Sequence, residues 1–524
     1  MTAETTRTLT PQVLVVGGGP VGLMLAGELR LGGADVLVVE RRDAPTTESR
    51  ASTLHARTME ILDSRGLLGA LGTPPREPLG HFGGIPLSLE LPGPHAGQWK
   101  VPQTRTEELL EDWARSLGAV IARRHELHRL TVRDDHVEAG TTGPDGPVRV
   151  RAEYAVACDG EDSTVRRLTG AAFPGHDARR ELLRADVAGI DIPDRRFERL
   201  PHGLAIAARR ADGVTRVMVH EFGSTPRQRP GAPEFGEIAA VWRRVTGEDI
   251  GDGTPLWRNA FGDACRQLTQ YRHGRLLFAG DAAHRQPPIG GQALNLGLQD
   301  AVNLGWKLAA TVDGWAPPGL LDSYHTERHA VGRRVLDSIE TQAGVLFGGP
   351  ESEPQRALLA ELMPLEPVRL HLAGMISGLD IRYPADDADD AEAPANPLVG
   401  TRLPYAALRT DEGKDSGAGS TFALLRAGRG VLLDFGGGDG GALLRAAAPW
   451  ASRVRAVAAT PTRAPAPTER YPTGLPDGTG AVLVRPDGHV AWAAPRAEAY
   501  GQAPLAALRR WFGDPAPTPE GTGG

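Results

Sequence analysis

The sequence predicts an α/β fold: a dinucleotide-binding unit interrupted by an inserted β-sheet layer, then a smaller α/β unit. Three observations carry this. Val13 to Glu40 reads strand, glycine turn, helix and strand. From Leu182 to Phe222 the pattern changes to short strands with a turn at Ala211-Asp212-Gly213. An acidic, proline-bearing stretch, PADDADDAEAPANP at 384–397, then reads as a linker. At 524 residues the chain exceeds one hydrophobic core, so two or three domains are expected.

In the first unit Gly17, Gly19 and Gly22 stand in the G-x-G-x-x-G spacing of a Rossmann-like site. Gly17 permits the tight turn, Gly19 lets the backbone approach a pyrophosphate, and Gly22 lets helix and strand pack closely. The following helix aims free N–H groups and its positive dipole end at phosphates. Glu40, closing the second strand, is placed to accept a ribose 2′-hydroxyl. Residues 1–10 read as a disordered lead, and the stretch from Arg50 to Leu68 as an amphipathic helix of uneven period. Residues 73–101 read as loops and short strands, and 106–116 as a helix. YAVACDG reads as a buried strand ending at Asp159-Gly160.

The chain returns from the inserted sheet with RLLFAGDAAH, a strand running into a loop, then a long helix from about Gln292 and further helices to about Leu379. Asp281 comes straight off the strand, where it could accept hydrogen bonds from a sugar-alcohol chain. Pro287 and Pro288 stiffen the next turn. Gly290 and Gly291 precede the helix, offering N–H groups and a dipole to a site that becomes anionic. The boundaries expected are 1–180 and 271–383 for the two parts of the cofactor domain and 181–270 for the substrate-binding sheet. The linker spans 384–397, the C-terminal unit 398–515, and a disordered tail 516–524. Gly436, Gly438 and Gly441 repeat the glycine spacing, but Asp439 puts a negative charge where phosphate would sit and no acid ends the next strand. That loop reads as a plain strand-to-helix connection.

Net charge of −7 argues against a nucleic-acid partner. No run of about 20 apolar residues exists to span a membrane. Cys158 and Cys265 are the only cysteines and form no C-x-x-C pair, which excludes a dithiol oxidoreductase and a cysteine-based zinc site; no metal is expected. The start of the chain lacks an apolar signal core, and a cytoplasmic location is expected.

The residues GGGPVG, Glu40, Arg50 in SRASTLHARTMEIL, Val101-Pro102-Gln103, Cys158-Asp159-Gly160, SYHTERH near Tyr324 and GDAAHRQPPIGGQALNLGLQDAVNLGWKL from 280 carry a resemblance over 11–380. The chain resembles the class A flavoprotein aromatic hydroxylases of the para-hydroxybenzoate hydroxylase type, and among them looks closest to bacterial aromatic-polyketide (angucycline-type) oxygenases. The resemblance implies a resident FAD, transient NADPH (more than NADH) and O₂ as co-substrate. It implies hydroxylation of a polycyclic aromatic polyketide through a flavin C4a-hydroperoxide. By the same resemblance Arg41, Arg50 and Gln103 contact the FAD ribose and diphosphate, Leu127 lies near the adenosine, and Asp281 holds the ribityl chain. Leu294 and Asn295 meet the isoalloxazine edge. The C-terminal unit resembles the thioredoxin-like domain of these hydroxylases, with GGGDGG where C-x-x-C would stand; packing or oligomerisation, as in a homodimer, is its default role.

Ala293 replaces the family's usual glycine. It is strained if the backbone needs positive φ and harmless if helical, the reading favoured here. His81, Phe82, Trp99 and Pro287 are expected pocket walls. No catalytic base is identified; His81 and His284 are candidates because imidazole titrates near neutrality. Two alternatives stand: Baeyer–Villiger insertion beside a ketone, and an FAD-binding scaffold that is chemically idle. No W-x-W pair supports a halogenase.

Overall fold

The structure, a computed structural model, describes residues 7–45, 52–229, 231–384, 396–410, 419–436, 441–461, 475–496, 498–499 and 501–516. Its central sheet has six strands in the order Arg272–His273, Leu276–Phe278, Tyr154–Ala157, Val13–Val16, Val36–Glu40 and Val120–Arg123. All neighbours are parallel except the first pair. Val13–Val16 and Tyr154–Ala157 are buried along their whole length, which is why they read as continuous apolar runs. Helix Pro20–Leu31 packs between helices Gln292–Val312 and Gln103–Ser116. Close approach depends on small residues: a Cβ at Gly27 would strike the Trp113 ring, and one at Gly305 the Glu28 side chain.

Val16 lies opposite Ala157, and Ala157 opposite Phe278. The chain therefore leaves three adjacent parallel strands at one edge, at Gly17, Cys158 and Ala279. That edge is where an open α/β sheet holds ligands.

A second, antiparallel sheet of five strands follows the order Arg195–Leu200, Gly203–Arg209, Thr215–Glu221, Glu181–Ala188 and Thr254–Gly262. Strand alternation sends Leu183, Ala185 and Val187 to one face, against helix Phe235–Thr246 with its fully buried Trp242. That helix and the strand Thr254–Gly262 add to the strands read from the sequence. The opposite face carries Leu182 and Arg184, paired with Phe261 and Asn259. Leu182 and Phe261 join Leu204, Ile289, Ile339 and Phe347 in an apolar cluster between the sheet and the first domain.

Two local expectations change and a third is met. Arg7–Leu9, expected within a disordered lead, form a strand parallel to Gly146–Ala152, because the backbone finds a free ladder there. The uneven helix expected from Arg50 is a strand, Thr53–His55, followed by helix Ala56–Ser64, so two periods were superimposed. Ala293 lies inside helix Gln292–Val312, and among the described residues only Arg124 and Phe197 are non-glycine residues with positive φ. The alanine is unstrained.

The C-terminal unit is a five-stranded sheet, ordered Leu408–Thr410, Val454–Pro461, Gly430–Asp434, Thr479–Val484 and Val490–Pro495, with helices Ala442–Ala447 and Ala503–Phe512. This mixed sheet fits the thioredoxin-like expectation. Most of the second glycine loop, 437–440, lies outside the described residues, as do 385–395 of the linker and 517–524 of the tail. Among the described residues no helix is long and apolar enough to cross a membrane.

Candidate functional site

The carboxyl edge of the parallel sheet opens into a cleft of about 480 Å³. Gly17, Gly19, Glu40, Arg41, Gln103, Leu127, Asp159, Asp281, Pro288 and Leu294, predicted from positions scattered over nearly 300 residues, all line it. The glycines divide their work by conformation. Gly17 has φ +107°, and a Cβ there would run into the Cys158 carbonyl. A Cβ at Gly22 would strike the Gly17 carbonyl, so neither turn nor helix tolerates a side chain. A Cβ at Gly19 would meet nothing within 4 Å, leaving the first helical turn open to a ligand. Pro20 begins the helix, where its missing N–H is no loss.

The acids are held differently. Glu40 Oε2 accepts the Gly18 N–H at 2.7 Å and Oε1 accepts the Arg42 N–H at 2.9 Å, pinning the carboxylate to the glycine turn. Asp159 Oδ2 accepts the Val165 N–H at 3.0 Å, whereas its Oδ1 is buried without a partner. A buried acceptor at a cleft wall is an incomplete site that a ligand hydroxyl would complete. Gly290 and Gly291 both adopt left-handed φ, +65° and +68°, and turn the chain from Pro288 into helix Gln292–Val312. A dinucleotide fits this donor set: open backbone N–H groups, two placed acids and a helix N-terminus.

Other expected residues go elsewhere. Asn295 does not line the cleft: its Oδ1 accepts from His55 N–H (2.8 Å) and Thr58 Oγ1 (2.7 Å), and its Nδ2 donates to Thr53 O (3.0 Å) and Gly291 O (2.8 Å). It ties strand Thr53–His55 to the turn before the helix. His284 is fully buried with Nε2 2.7 Å from Asp300 Oδ2, and the Asp300 carboxylate also takes Arg328 Nε at 2.7 Å. That is a core knot, not an acid–base group facing substrate. Trp99 donates Nε1–H to His95 O at 3.2 Å and packs on the main core, and Phe82 is buried among Ile85, Leu87 and Ile376. Pro287 is buried beside Pro288 and is not part of the lining. Arg50 falls outside the described residues.

His81 lies on a short hairpin with its ring 4.1 Å from that of Phe197, accepting the Gly84 N–H. Burial and the nearby Arg196 charge push its pKa down to about 4. It is therefore neutral across the working pH range. His81→Phe should leave the pH dependence of turnover between pH 5.5 and 8 unchanged; losing a limb near pH 6.5 would reinstate it as the base.

The wall facing the parallel sheet comes from residues the sequence did not single out: Arg184, Asn259, Phe261 and Gln286. Arg184 lies 4.4 Å over the Trp257 ring and 5.8 Å from that of Phe261. Strand alternation from Glu181 and Thr254 would have grouped Arg184, Asn259 and Phe261 on one face, but not shown which face met the cofactor domain; Gln286 joins them from the loop after His284–Arg285.

A crevice at the end of a parallel sheet, roofed by an antiparallel sheet, defines a protein that presents a dinucleotide to a second ligand. The chain belongs to the FAD-dependent aromatic-ring hydroxylases: residues 10–339 match the FAD binding domain and residues 396–515 the C-terminal domain of aromatic-ring hydroxylases. It is 41% identical to a 12-dehydrotetracycline 5-monooxygenase/anhydrotetracycline 6-monooxygenase of Streptomyces rimosus, over 96% of this chain and 99% of the relative. It is 40% identical to a dialkyldecalin synthase of Streptomyces rugosporus, over 97% and 100%. A solved aromatic hydroxylase from angucycline biosynthesis superposes with TM-score 0.88 at 47% identity, over 96% of this chain and 99% of that one.

Proposed function

We propose that the protein is an FAD-dependent monooxygenase that uses NADPH and O₂ to hydroxylate a polycyclic aromatic polyketide. The observation that carries the reading is the cleft itself, in which Gly19, Glu40, Asp159 and Asp281 converge below a wall bearing Arg184 and Phe261. Bound FAD would supply hydride acceptance and oxygen activation, chemistry that no side chain here can perform. In overall terms NADPH provides two electrons, and one oxygen atom enters the ring while the other leaves as water.

The chain's own residues bind, orient and exclude water. Glu40 and Asp159 would hold cofactor hydroxyls, and Asp281 the ribityl chain. The helix N-terminus after Gly291 would favour negative charge on the bound cofactor. Phe261, Pro288, Leu294 and the apolar cluster around Ile289 would cover the reacting end with apolar surface once the ligands fill the cleft. Asp281→Ala should raise the FAD dissociation constant about tenfold, the weight of one good hydrogen bond to a charged group. Fluorescence titration of the apoprotein checks it, with an unchanged melting temperature showing that the fold is intact.

A second reading has one specific support, the equally similar dialkyldecalin synthase, whose name denotes no oxygenation. The fold could thus use its cofactor without redox turnover. The decisive experiment records the visible spectrum of the purified protein, then follows NADPH consumption with polycyclic phenols and quinones and analyses the products. Flavin absorbance with substrate-stimulated NADPH oxidation and a hydroxylated, intact carbon skeleton supports the proposal. A ring-expanded ester would indicate Baeyer–Villiger insertion, flavin without stimulation the non-redox reading, and a colourless protein that takes up no FAD would sink both.

A further inference from the structure

Among the described residues, half-buried Gln286 is the one side chain in which two polar atoms, Oε1 and Nε2, are both buried and both lack a hydrogen-bond partner. It lines the cleft between Arg285 and the rigid Pro287-Pro288 pair, near the sheet wall of Arg184, Asn259 and Phe261. Its surroundings are held on both sides: His284 is bonded to Asp300 at 2.7 Å, and Pro287 is buried. Buried amides are normally satisfied, and an unmade bond on each side of the group is a cost that packing does not repay. An amide that makes no bond where it rests also loses none by turning into the cleft.

From this we propose that Gln286 is a specificity residue, whose carboxamide turns to meet the donor–acceptor edge of a polycyclic substrate: a ring hydroxyl beside a ring carbonyl. The carboxamide offers the complement, one acceptor and two N–H donors in a single plane. A site built to bond a hydroxyl discriminates strongly against the analogue lacking it, because its own polar groups are then left unpaired. An apolar pocket of Phe261, Pro288 and Leu294 would accept any flat ring system; the amide would choose among them. The inference rests on the cleft taking a polycyclic aromatic ligand, as proposed above.

The test uses the FAD-loaded full chain, titrated with 1,8-dihydroxyanthraquinone and with unsubstituted anthraquinone, binding being read from the perturbed flavin spectrum. The wild-type protein should bind the dihydroxy compound at least tenfold more tightly. Gln286→Leu should erase that preference while leaving the FAD dissociation constant and the affinity for anthraquinone unchanged, and Gln286→Glu should shift the ratio without loss of FAD. A wild-type ratio near one overturns the proposal whatever the variants do. So does a Gln286→Leu variant that loses FAD affinity but keeps the preference, which would assign the amide to the cofactor. Failure to bind either compound in a protein that retains FAD overturns it together with the polycyclic assignment, whereas failure to load FAD strikes the proposed function itself.

Discussion

Asp300→Ala is expected to remove about 3–5 kcal/mol of stability, the cost of leaving a buried charge without its partner. Asp300 is fully buried on helix Gln292–Val312 and receives three donors: Arg328 Nε at 2.7 Å, His284 Nε2 at 2.7 Å and the Gly280 N–H at 3.1 Å. Arg328, equally buried, also donates to Tyr383 and to Leu296 O. Alanine strands that guanidinium and releases Gly280, which holds left-handed φ one residue before Asp281. Stability and cofactor retention should fall together. Chemical denaturation with and without FAD measures both, and an unchanged midpoint would refute the assignment. Removing both charges, as Asp300→Leu with Arg328→Met, should recover part of the loss. Burial alone would raise the Asp300 carboxyl, but Arg328 and His284 outweigh it and hold the pKa below the ordinary carboxylate range. Its stabilisation is therefore complete above the unfolded pKa near 4 and is lost as pH falls through the folded value. The gap between wild type and variant should close only in acid.

The same knot explains a limit of reading the sequence. His284 stands next to the cofactor motif and carries an imidazole, so by position alone it is a catalytic candidate; only the packing of Asp300 and Arg328, 16 and 44 residues later, turns it into core. The convergence of Gly17, Gly19, Asp159 and Asp281 was legible because it depends on backbone spacing along one strand or turn, and the parallel register then fixes them at one edge. Asn295 and Trp99 were misread for the converse reason. Each satisfies its polar atoms on segments far away, or on a loop carbonyl, that no local pattern announces. The sheet wall was half legible: alternation along Glu181–Ala188 shows two faces, but helix Phe235–Thr246 decides which of them is covered. The strand Arg7–Leu9 was hidden because three residues have no periodicity, and its ladder partner lies about 140 residues away.

The other large effect is expected where the two family domains meet. The turn Pro486-Asp487-Gly488 enters a groove of the first domain, where Arg57 and Arg65 donate to the Asp487 and Pro486 carbonyls at 2.9 Å each. Beside it Arg485 spans to Glu327, with Nη1 2.5 Å from Oε1 and Nη2 2.8 Å from Oε2, and also pairs with Asp487. Glu327 further accepts from Lys307 at 2.7 Å and Asn303 at 2.6 Å, all of them buried. Glu327→Ala leaves two buried cations facing each other, at a cost of about 3–5 kcal/mol. Glu327→Gln, which keeps an acceptor, should lose less. Burial tends to raise the Glu327 carboxyl, but Arg485 and Lys307 prevail and bring it down to about 2. A depressed carboxyl stabilises fully above its unfolded pKa, near 4.5, and progressively less towards pH 2. Wild-type protein should thus loosen the domain contact over that window, while in Glu327→Ala the acid limb shrinks to what Asp487, also held well below the ordinary range by Arg485, contributes. The Arg485 guanidinium lies 5.6 Å from the Trp306 ring across the contact, so emission compared between the wild type and a Trp306→Phe variant reports the separation. Equal acid limbs in wild type and variant would show that the contact owes nothing to this carboxylate. With no cysteine of its own, the C-terminal unit has no dithiol chemistry to contribute. A difference between the two limbs would identify its physical role as the clamp on the helix that carries Asn303 and Lys307, the same helix whose first turn closes the cofactor cleft.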